Sequence, residues 1–220
     1  KGDVLIENYQ ADTGKITINS TIDTSKYNDE HTGNITVTTD GDITTADGVD
    51  LNAADKVSIN SKKGSVATGG NVTANNEVDI DAANNITANG SLTSTNANVD
   101  LNAGGSITTS GQVKAQQNVD YNAKGSITTE DIINSTAGNI HLQTDAAKGD
   151  ITFGGDVTAD HGNINIDVLR NGSVTDHDNK FKALGDKGDI NSGNFALQIK
   201  GAGDVDLHEI YATNNALIDV

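Results

Sequence analysis

The sequence predicts an all-β fold: a single-stranded, right-handed parallel β-helix in which three short strands recur in every coil. Aliphatic residues recur with a period of about 20–21 residues, which is the mark of a repeat architecture. Within each short segment apolar and polar residues alternate, as they do in a half-buried strand. Glycine also recurs at one phase of the repeat. Because the period runs through residues 1–220, we expect one domain of roughly nine coils.

Three columns of aliphatic residues define the repeat. The first column contains Val57, Val78, Val99, Val119, Ile140 and Ile164. The second contains Val66, Ile86, Ile107, Ile127, Ile151 and Val174, and the third contains Val72, Leu92, Val113, Ile133 and Val157. Towards the two ends we expect the columns to continue through Val4, Ile16, Ile22, Ile35, Ile43 and Val49, and through Ile190, Leu197, Val205, Ile210 and Ile218.

Glycine marks one corner of each predicted coil. It stands two residues before the second-column position in most coils, at Gly14, Gly41, Gly64, Gly105, Gly125, Gly149, Gly172 and Gly203, with Asn84 as the substitute. Glycine and asparagine are the residues that accept a positive φ at low cost. We therefore expect this corner to require a positive φ.

The composition excludes several classes of function. A net charge of -17 argues against binding to nucleic acid, whose phosphates are neutralised by Lys and Arg. The sequence has no apolar run long enough for a membrane-spanning helix. It has no Cys, so disulfides and thiolate metal sites are excluded. The chain begins Lys1-Gly2-Asp3, without Met or a signal sequence, and we expect it to be a piece of a longer, exported protein.

A row of aspartates is the candidate cation site. Asp79, Asp100 and Asp120 follow first-column residues in successive coils, so their side chains are expected to stack on the outer surface. Neighbouring carboxylates in such a row repel one another. A cation such as Ca²⁺ would relieve that repulsion; the alternative is a solvated acidic face. No other cofactor is expected.

Two interruptions of the repeat are the candidate partner-binding segments. Loop excursions are expected near residues 24–32 and 176–187, because the aliphatic columns are stretched there. The second carries residue types that are scarce in the rest of the rod: His177, Lys180, Phe181 and Lys182. Loops on a rigid scaffold are where binding residues concentrate. An exposed aromatic flanked by lysines suits a glycan or protein ligand, whereas the alternative is a passive insertion.

The repeat resembles the filamentous haemagglutinin family of two-partner-secretion adhesins. The resemblance rests on the units Gly105-Ser106-Ile107-Thr108, Gly125-Ser126-Ile127-Thr128 and Gly149-Asp150-Ile151-Thr152, with intervening segments such as Val99-Asp100-Leu101-Asn102. It implies a β-helical shaft, secretion to the surface of a Gram-negative bacterium through an outer-membrane transporter, and attachment to a host-cell or bacterial surface glycan or protein. The family's Asn-Pro-Asn-Gly secretion signature is absent from this chain, which contains no proline. This stretch of sequence therefore resembles the shaft of such an adhesin.

Two other functions stay open. Parallel β-helices also include carbohydrate-active proteins that bind or cleave polysaccharides, and the cleaving enzymes need paired carboxylates at a fixed separation. With no Trp, three Phe, four Tyr and only Arg170 as arginine, the sequence offers little for such a site, and we expect no enzyme. The chain would also suit the shaft of a contact-dependent toxin. Fold resemblance alone does not decide among these functions.

Overall fold

The computed structural model describes residues 2–10, 14–25, 33–186 and 188–220. The chain winds into about nine coils, and each coil contributes one strand to each of three sheets. Every strand pairs in parallel with the equivalent strand of the next coil. The predicted parallel β-helix with three strands per coil is therefore confirmed. At ~4.8 Å per strand the rod is about 45 Å long.

The three sheets run from one end of the described chain to the other. Sheet A contains β1 (Val4–Asn8), β4 (Ile35–Thr39), β7 (Val57–Ser61), β10 (Val78–Ala82), β13 (Val99–Ala103), β16 (Val119–Ala123), β19 (Ile140–Thr144), β22 (Ile164–Val168), β25 (Phe195–Ile199) and β28 (Ala216–Asp219). Sheet B contains β2 (Ile16–Ile18), β5 (Ile43–Thr45), β8 (Val66–Thr68), β11 (Ile86–Ala88), β14 (Ile107–Thr109), β17 (Ile127–Thr129), β20 (Ile151–Phe153), β23 (Val174–Asp176) and β26 (Val205–Asp206). Sheet C contains β3 (Ile22–Asp23), β6 (Leu51–Ala53), β9 (Val72–Ala74), β12 (Leu92–Ser94), β15 (Val113–Ala115), β18 (Ile133–Ser135), β21 (Val157–Ala159), β24 (Lys180–Ala183) and β27 (Glu209–Ala212).

Alternation within each strand builds the core. In β10 the side chains of Val78, Ile80 and Ala82 are buried, whereas Asp79 and Asp81 point outward. Stacking the coils extends each buried position into a continuous apolar column along the rod, because neighbouring strands pair in register. A single coil buries too few aliphatic side chains to offset the entropy of ordering it. Stability therefore comes from the contact between coils.

The predicted columns correspond to the three sheets, with corrections near the ends. The first, second and third columns lie in sheets A, B and C through Ile164, Val174 and Val157. Upstream, Ile22 pairs with Leu51 and not with Val49. Downstream, Val157 pairs with Phe181, so the next third-column residue is aromatic and Ile190 does not belong to the column. A search restricted to aliphatic residues misses a core position that phenylalanine fills.

The larger core residues are accommodated by their neighbours. Phe153 and Phe181 meet edge to face with ring centroids 5.0 Å apart, and Phe181 and Phe195 lie 5.7 Å apart. Such arrangements are favourable for aromatic pairs. Tyr121 is also fully buried, and its hydroxyl donates to Thr109 Oγ1 at 3.2 Å.

Polar ladders hold the corners between coils. The side chain just before a strand accepts the backbone N–H of the equivalent residue in the next coil; Asn139 N, for example, donates to Asn118 Oδ1 at 2.8 Å. The ladder before sheet A includes Asn98, Asn118, Asn139, Asn163 and Asn194. The ladder before sheet B includes Asp42, Ser65, Asn85, Ser106, Ser126, Asp150, Ser173 and Asp204. These contacts satisfy backbone groups that the strands leave unpaired.

The corner glycines serve close packing, and the predicted positive φ is wrong. Among the described glycines, positive φ occurs at Gly48, Gly188, Gly193 and Gly201, and none of these is a corner position of the repeat. At the corner, successive backbones stack directly on one another. A Cβ on Gly64 would lie 2.5 Å from the carbonyl carbon of Gly41 and 2.6 Å from Asp42 N. A side chain at Gly64 would therefore collide with the backbone of the preceding coil, whereas Asn84 shows that one coil accommodates a side chain at the equivalent position.

Candidate functional site

The predicted aspartate row lies on the outward face of sheet A. Asp79, Asp100 and Asp120 occupy equivalent positions of β10, β13 and β16 and pair in register. At the amino-terminal end of the row, Lys56 Nζ lies 3.0 Å from Asp79 Oδ2 and 2.7 Å from Glu77 Oε2. The stacking inferred from the sequence is thus confirmed, and one lysine neutralises the first part of the row.

A histidine closes the other end of the row. Asp120 pairs in register with His141, whose Nδ1 lies 3.8 Å from Asp120 Oδ1. The other ring nitrogen, Nε2, lies 3.0 Å from Asp167 Oδ2. The imidazole therefore lies between two carboxylates. A basic group at each end leaves the repulsion concentrated in the middle of the row.

The electrostatic effect of this arrangement is largest at Asp100, whose pKa is raised. Burial raises the pKa of its carboxyl to about 7, and a hydrogen bond to Glu77 and the charge of Asp120 act in the same direction. Burial also raises the pKa of Asp120. A proton held by Asp100 near neutral pH would reduce the charge of the row.

The row does not assemble a metal-binding geometry. Among the residues that the structure describes, no three or more His, Asp or Glu side chains are grouped so that they could hold a metal ion. Asp79, Asp100 and Asp120 lie in a line on one flat face, whereas Ca²⁺ takes six to eight oxygen ligands that surround it. Lys56 beside Asp79 supplies one positive charge next to the row.

The predicted exposure of Phe181 is wrong. Phe181 is fully buried in β24, where it pairs with Val157 on one side and Ile210 on the other. The interrupted spacing of aliphatic residues predicts a loop at this point, but the chain continues as strand β24. The apolar aromatic side chain is a core residue and is not available to a partner.

The other three candidates do not form a cluster. His177 is exposed in the turn between β23 and β24. Lys180 Nζ lies 3.2 Å from Glu209 Oε2, and Lys182 Nζ lies 3.2 Å from Asp156 Oδ2. Both lysines thus form ion pairs with residues of adjacent coils. Such exposed pairs add little to stability, but they show that these cations already have partners.

Among the described residues, the large excursion of the second half of the rod comprises 184–186 and 188–194, later than the predicted 176–187. The chain leaves sheet C after Ala183 and re-enters sheet A at Phe195. One coil earlier the same corner is crossed by residues 160–163 alone. The other predicted excursion, near residues 24–32, falls mostly on residues 26–32, which lie outside the described residues.

Hydrogen bonds fasten this excursion to the coils beside it. The Asp186 carboxylate accepts a hydrogen bond from His161 Nδ1 at 2.7 Å, and the backbone N of Asp186 donates to Ser192 Oγ at 3.0 Å. Asn163 Nδ2 donates to the Asn191 carbonyl at 2.8 Å. From the following coil, Asn214 Nδ2 donates to the carbonyl of Asp189 at 2.7 Å.

The fastened excursion presents an apolar side chain to solvent. Ile190 is 78% exposed, the highest value among the large apolar residues described. Leu184, at the start of the excursion, is also partly exposed. Most of the other exposed large apolar residues lie in the first and last coils. The sequence signal for this feature is the long interval between Val174 and Ile190, and it places the excursion too early because Phe181, not Ile190, continues the third column.

A histidine–carboxylate group near the carboxyl-terminal end was missed by the sequence analysis. His208 bonds through Nδ1 to the buried carboxylate of Asp176, and its Nε2 lies 3.0 Å from Asp178 Oδ1. The hydrogen bond to Asp176 raises the pKa of His208. The residues are about thirty positions apart in sequence, and only the stacking of β23 and β26 brings them together.

No family model, no curated protein and no solved structure matches the chain. Among the described residues, no helix is long and apolar enough to cross a membrane.

Proposed function

We propose that the chain is a structural and adhesive segment of the rod of a secreted bacterial surface adhesin, similar to the shafts of the filamentous haemagglutinin family, and that it has no catalytic turnover. The observation that carries this proposal is the excursion at residues 184–194, a fastened loop on an otherwise regular scaffold. A stack of coils keeps such a loop at a fixed place and orientation. Loops of this kind are where scaffold proteins concentrate binding residues.

The exposed Ile190 supports a binding role for the excursion. An isolated exposed apolar residue needs no special explanation. Here, however, hydrogen bonds from the preceding and the following coil hold the loop around it. A loop whose backbone is already held in place loses less entropy when a partner covers it. The partner would be a protein or glycan on a host-cell or bacterial surface.

The distribution of carboxylates supports a role without catalysis. Polysaccharide hydrolases place two carboxyl groups on opposite sides of the scissile bond. The carboxylates of Asp79, Asp100 and Asp120 lie side by side in a single row on the outward face of sheet A.

The proposal can be tested by replacing residues 184–194 with Asp-His-Gly-Asn, the sequence that spans the same corner one coil earlier. Beads coated with the protein would be incubated with epithelial cells and with Gram-negative bacteria, and retained cells would be counted. We expect an unchanged melting temperature and at least a fivefold loss of retained cells, reproduced by Ile190→Ser. The matched control is Leu5→Ser, which changes an exposed leucine outside the excursion. Equal retention by wild type and both excursion variants would refute the proposal.

A further inference from the structure

A shallow groove of about 450 Å³ follows sheet A along its border with the corner that leads to sheet B. Its polar lining comes from Asn60, Asp81, Asn102 and Asn122, with Lys62 and Lys124 near its two ends. We name it the amide groove. Alanine and glycine residues at the ends of the strands form its floor.

The lining residues form a regular row along the rod. Asn60, Asp81 and Asn102 pair in register in β7, β10 and β13, and Asn122 continues the row in β16. The distance from the first to the last is ~14 Å, from three steps of ~4.8 Å. Each coil thus presents one planar polar group at the same height on the same face.

These amides differ from the corner amides in what they bond. The corner residues Asn118 and Asn139 each accept a backbone N–H from the next coil. In the groove, Asn102 Nδ2 donates to Asp81 Oδ1 at 3.1 Å. The side-chain amides of Asn60 and Asn122 have no partner within the described chain. Donors and acceptors of the groove therefore remain available to a ligand, whereas those of the corners are used by the fold.

A lysine lies near each end of the groove. Neither Lys62 nor Lys124 forms an ion pair with the part of the chain that is described. Lys62 Nζ lies 4.9 Å from the centroid of the Tyr9 ring, which belongs to the first coil and lies outside the groove lining. The groove therefore combines a row of amides with a cation at each end.

The chemistry of the groove selects among ligand classes. A peptide that adds to a sheet needs an unpaired strand edge, and the strands here are paired on both sides. Nucleic acid would meet the Asp81 carboxylate in the middle of the row and a chain of net charge -17. A chain of sugar rings presents hydroxyls at regular intervals, which planar amides and a carboxylate can bind.

We infer that the amide groove binds an oligosaccharide of about three or four sugar units lying along the rod axis, as its ~14 Å span allows. Asn60, Asn102 and Asn122 exchange hydrogen bonds with successive hydroxyls, and Asp81 accepts from one hydroxyl. The lysines near the two ends favour sugars that carry a carboxylate. The inference extends the proposed attachment function to a ligand class and to a second surface of the rod.

The test is binding of the whole chain to an array of neutral and uronic-acid-containing oligosaccharides of three to six units, followed by titration calorimetry. We expect selective binding that weakens at least tenfold in the double variant Asn102→Ala/Asn122→Ala. The matched control, Asn165→Ala, lies on the same sheet outside the groove and should bind as wild type does. The double variant Lys62→Ala/Lys124→Ala should lose the preference for acidic over neutral sugars.

Two results would overturn the inference: no oligosaccharide binds, or the Asn102→Ala/Asn122→Ala variant binds as tightly as Asn165→Ala. Both leave the proposed attachment function standing if cell retention still depends on Ile190. Conversely, selective sugar binding that is lost in the groove variant supports the groove even if the excursion at 184–194 has no role in attachment.

Discussion

Asp100 lies in register beside Asp79 in the adjacent parallel strand, on the outward face of sheet A. Parallel pairing holds the two carboxylates at the spacing of neighbouring strands, ~4.8 Å. Unit charges at such a distance repel by ~1 kcal/mol even in water. Because Asp79 has Lys56 beside it, the unfavourable charge is concentrated on Asp100.

The first prediction concerns pH. The pKa of Asp100 is about 7 in the folded chain, above the ordinary value of 3.8. Between these values the folded state binds more protons than the unfolded state, so this group lowers the free energy of unfolding as pH rises from ~4 through ~7. Asp100→Asn should raise stability at pH 8 by about 1 kcal/mol, allowing for screening, and reduce this pH dependence. Urea melts at pH 5 and pH 8 would measure it.

The control for this prediction is Asp47→Asn, which removes an equal charge from an exposed turn of the rod. It should leave the difference between the two pH values unchanged. A pH dependence that is the same in Asp100→Asn and in wild type would contradict the assignment.

The second prediction distinguishes close packing from backbone strain at glycines. Gly64→Ala places a Cβ against the backbone of the preceding coil and should destabilise the rod by about 1–3 kcal/mol. Gly48 has a φ of +70° and open space around its Cβ position, so Gly48→Ala should cost about 1–2 kcal/mol from strain alone. Gly48→Asn should cost less than Gly48→Ala, because asparagine tolerates the left-handed region. Thermal melts of the three variants would measure these differences.

The third prediction concerns the corner ladder. Asn118→Ala removes the acceptor of Asn139 N and should cost about 0.5–1.5 kcal/mol. Asn118→Asp keeps an acceptor oxygen and should cost less. Asn122→Ala, four positions away on the open face, should leave the melting temperature unchanged. If Asn118→Ala were as stable as Asn122→Ala, the ladder would have no measurable effect on stability.

The fourth prediction concerns the aromatic core. Phe181→Ala should destabilise the rod by about 3–5 kcal/mol because it leaves a cavity beside Phe153 and Phe195. Phe181→Leu should cost less, since leucine fills part of the space and other third-column positions are aliphatic. Lys182→Ala is the surface control and should change stability by less than about 0.5 kcal/mol. A Phe181→Ala variant as stable as Lys182→Ala would place the ring outside the core.

The fifth prediction concerns His208. Its pKa is raised by the hydrogen bond to Asp176, so its contribution to the last coils is fully present below the unfolded pKa of about 6.5 and is lost as pH rises through the higher folded pKa. NMR titration should place the His208 pKa above its ordinary value of 6.5. Asp176→Asn should lower the His208 pKa towards that value. An equal His208 pKa in wild type and in Asp176→Asn would disprove the interaction.

The winding of the chain into coils follows from the sequence pattern. Regular spacing of residues such as Val78 and Val99 fixed the period, and alternation within each segment fixed which side chains face inward. Both follow from local strand geometry. The stacking of Asp79, Asp100 and Asp120 followed as well, because equivalent positions of a regular repeat must become neighbours.

The features that depart from the repeat depend on tertiary contacts. Phe181 lies in the core because the space beside Phe153 accommodates an aromatic ring. The spacing of aliphatic residues does not encode that volume. The need for Gly64 came from the position of the backbone at Gly41, and the pairing of His208 with Asp176 came from the contact of two coils. Each depends on distances between residues remote in the chain, whereas a periodic pattern records only the positions that all coils share.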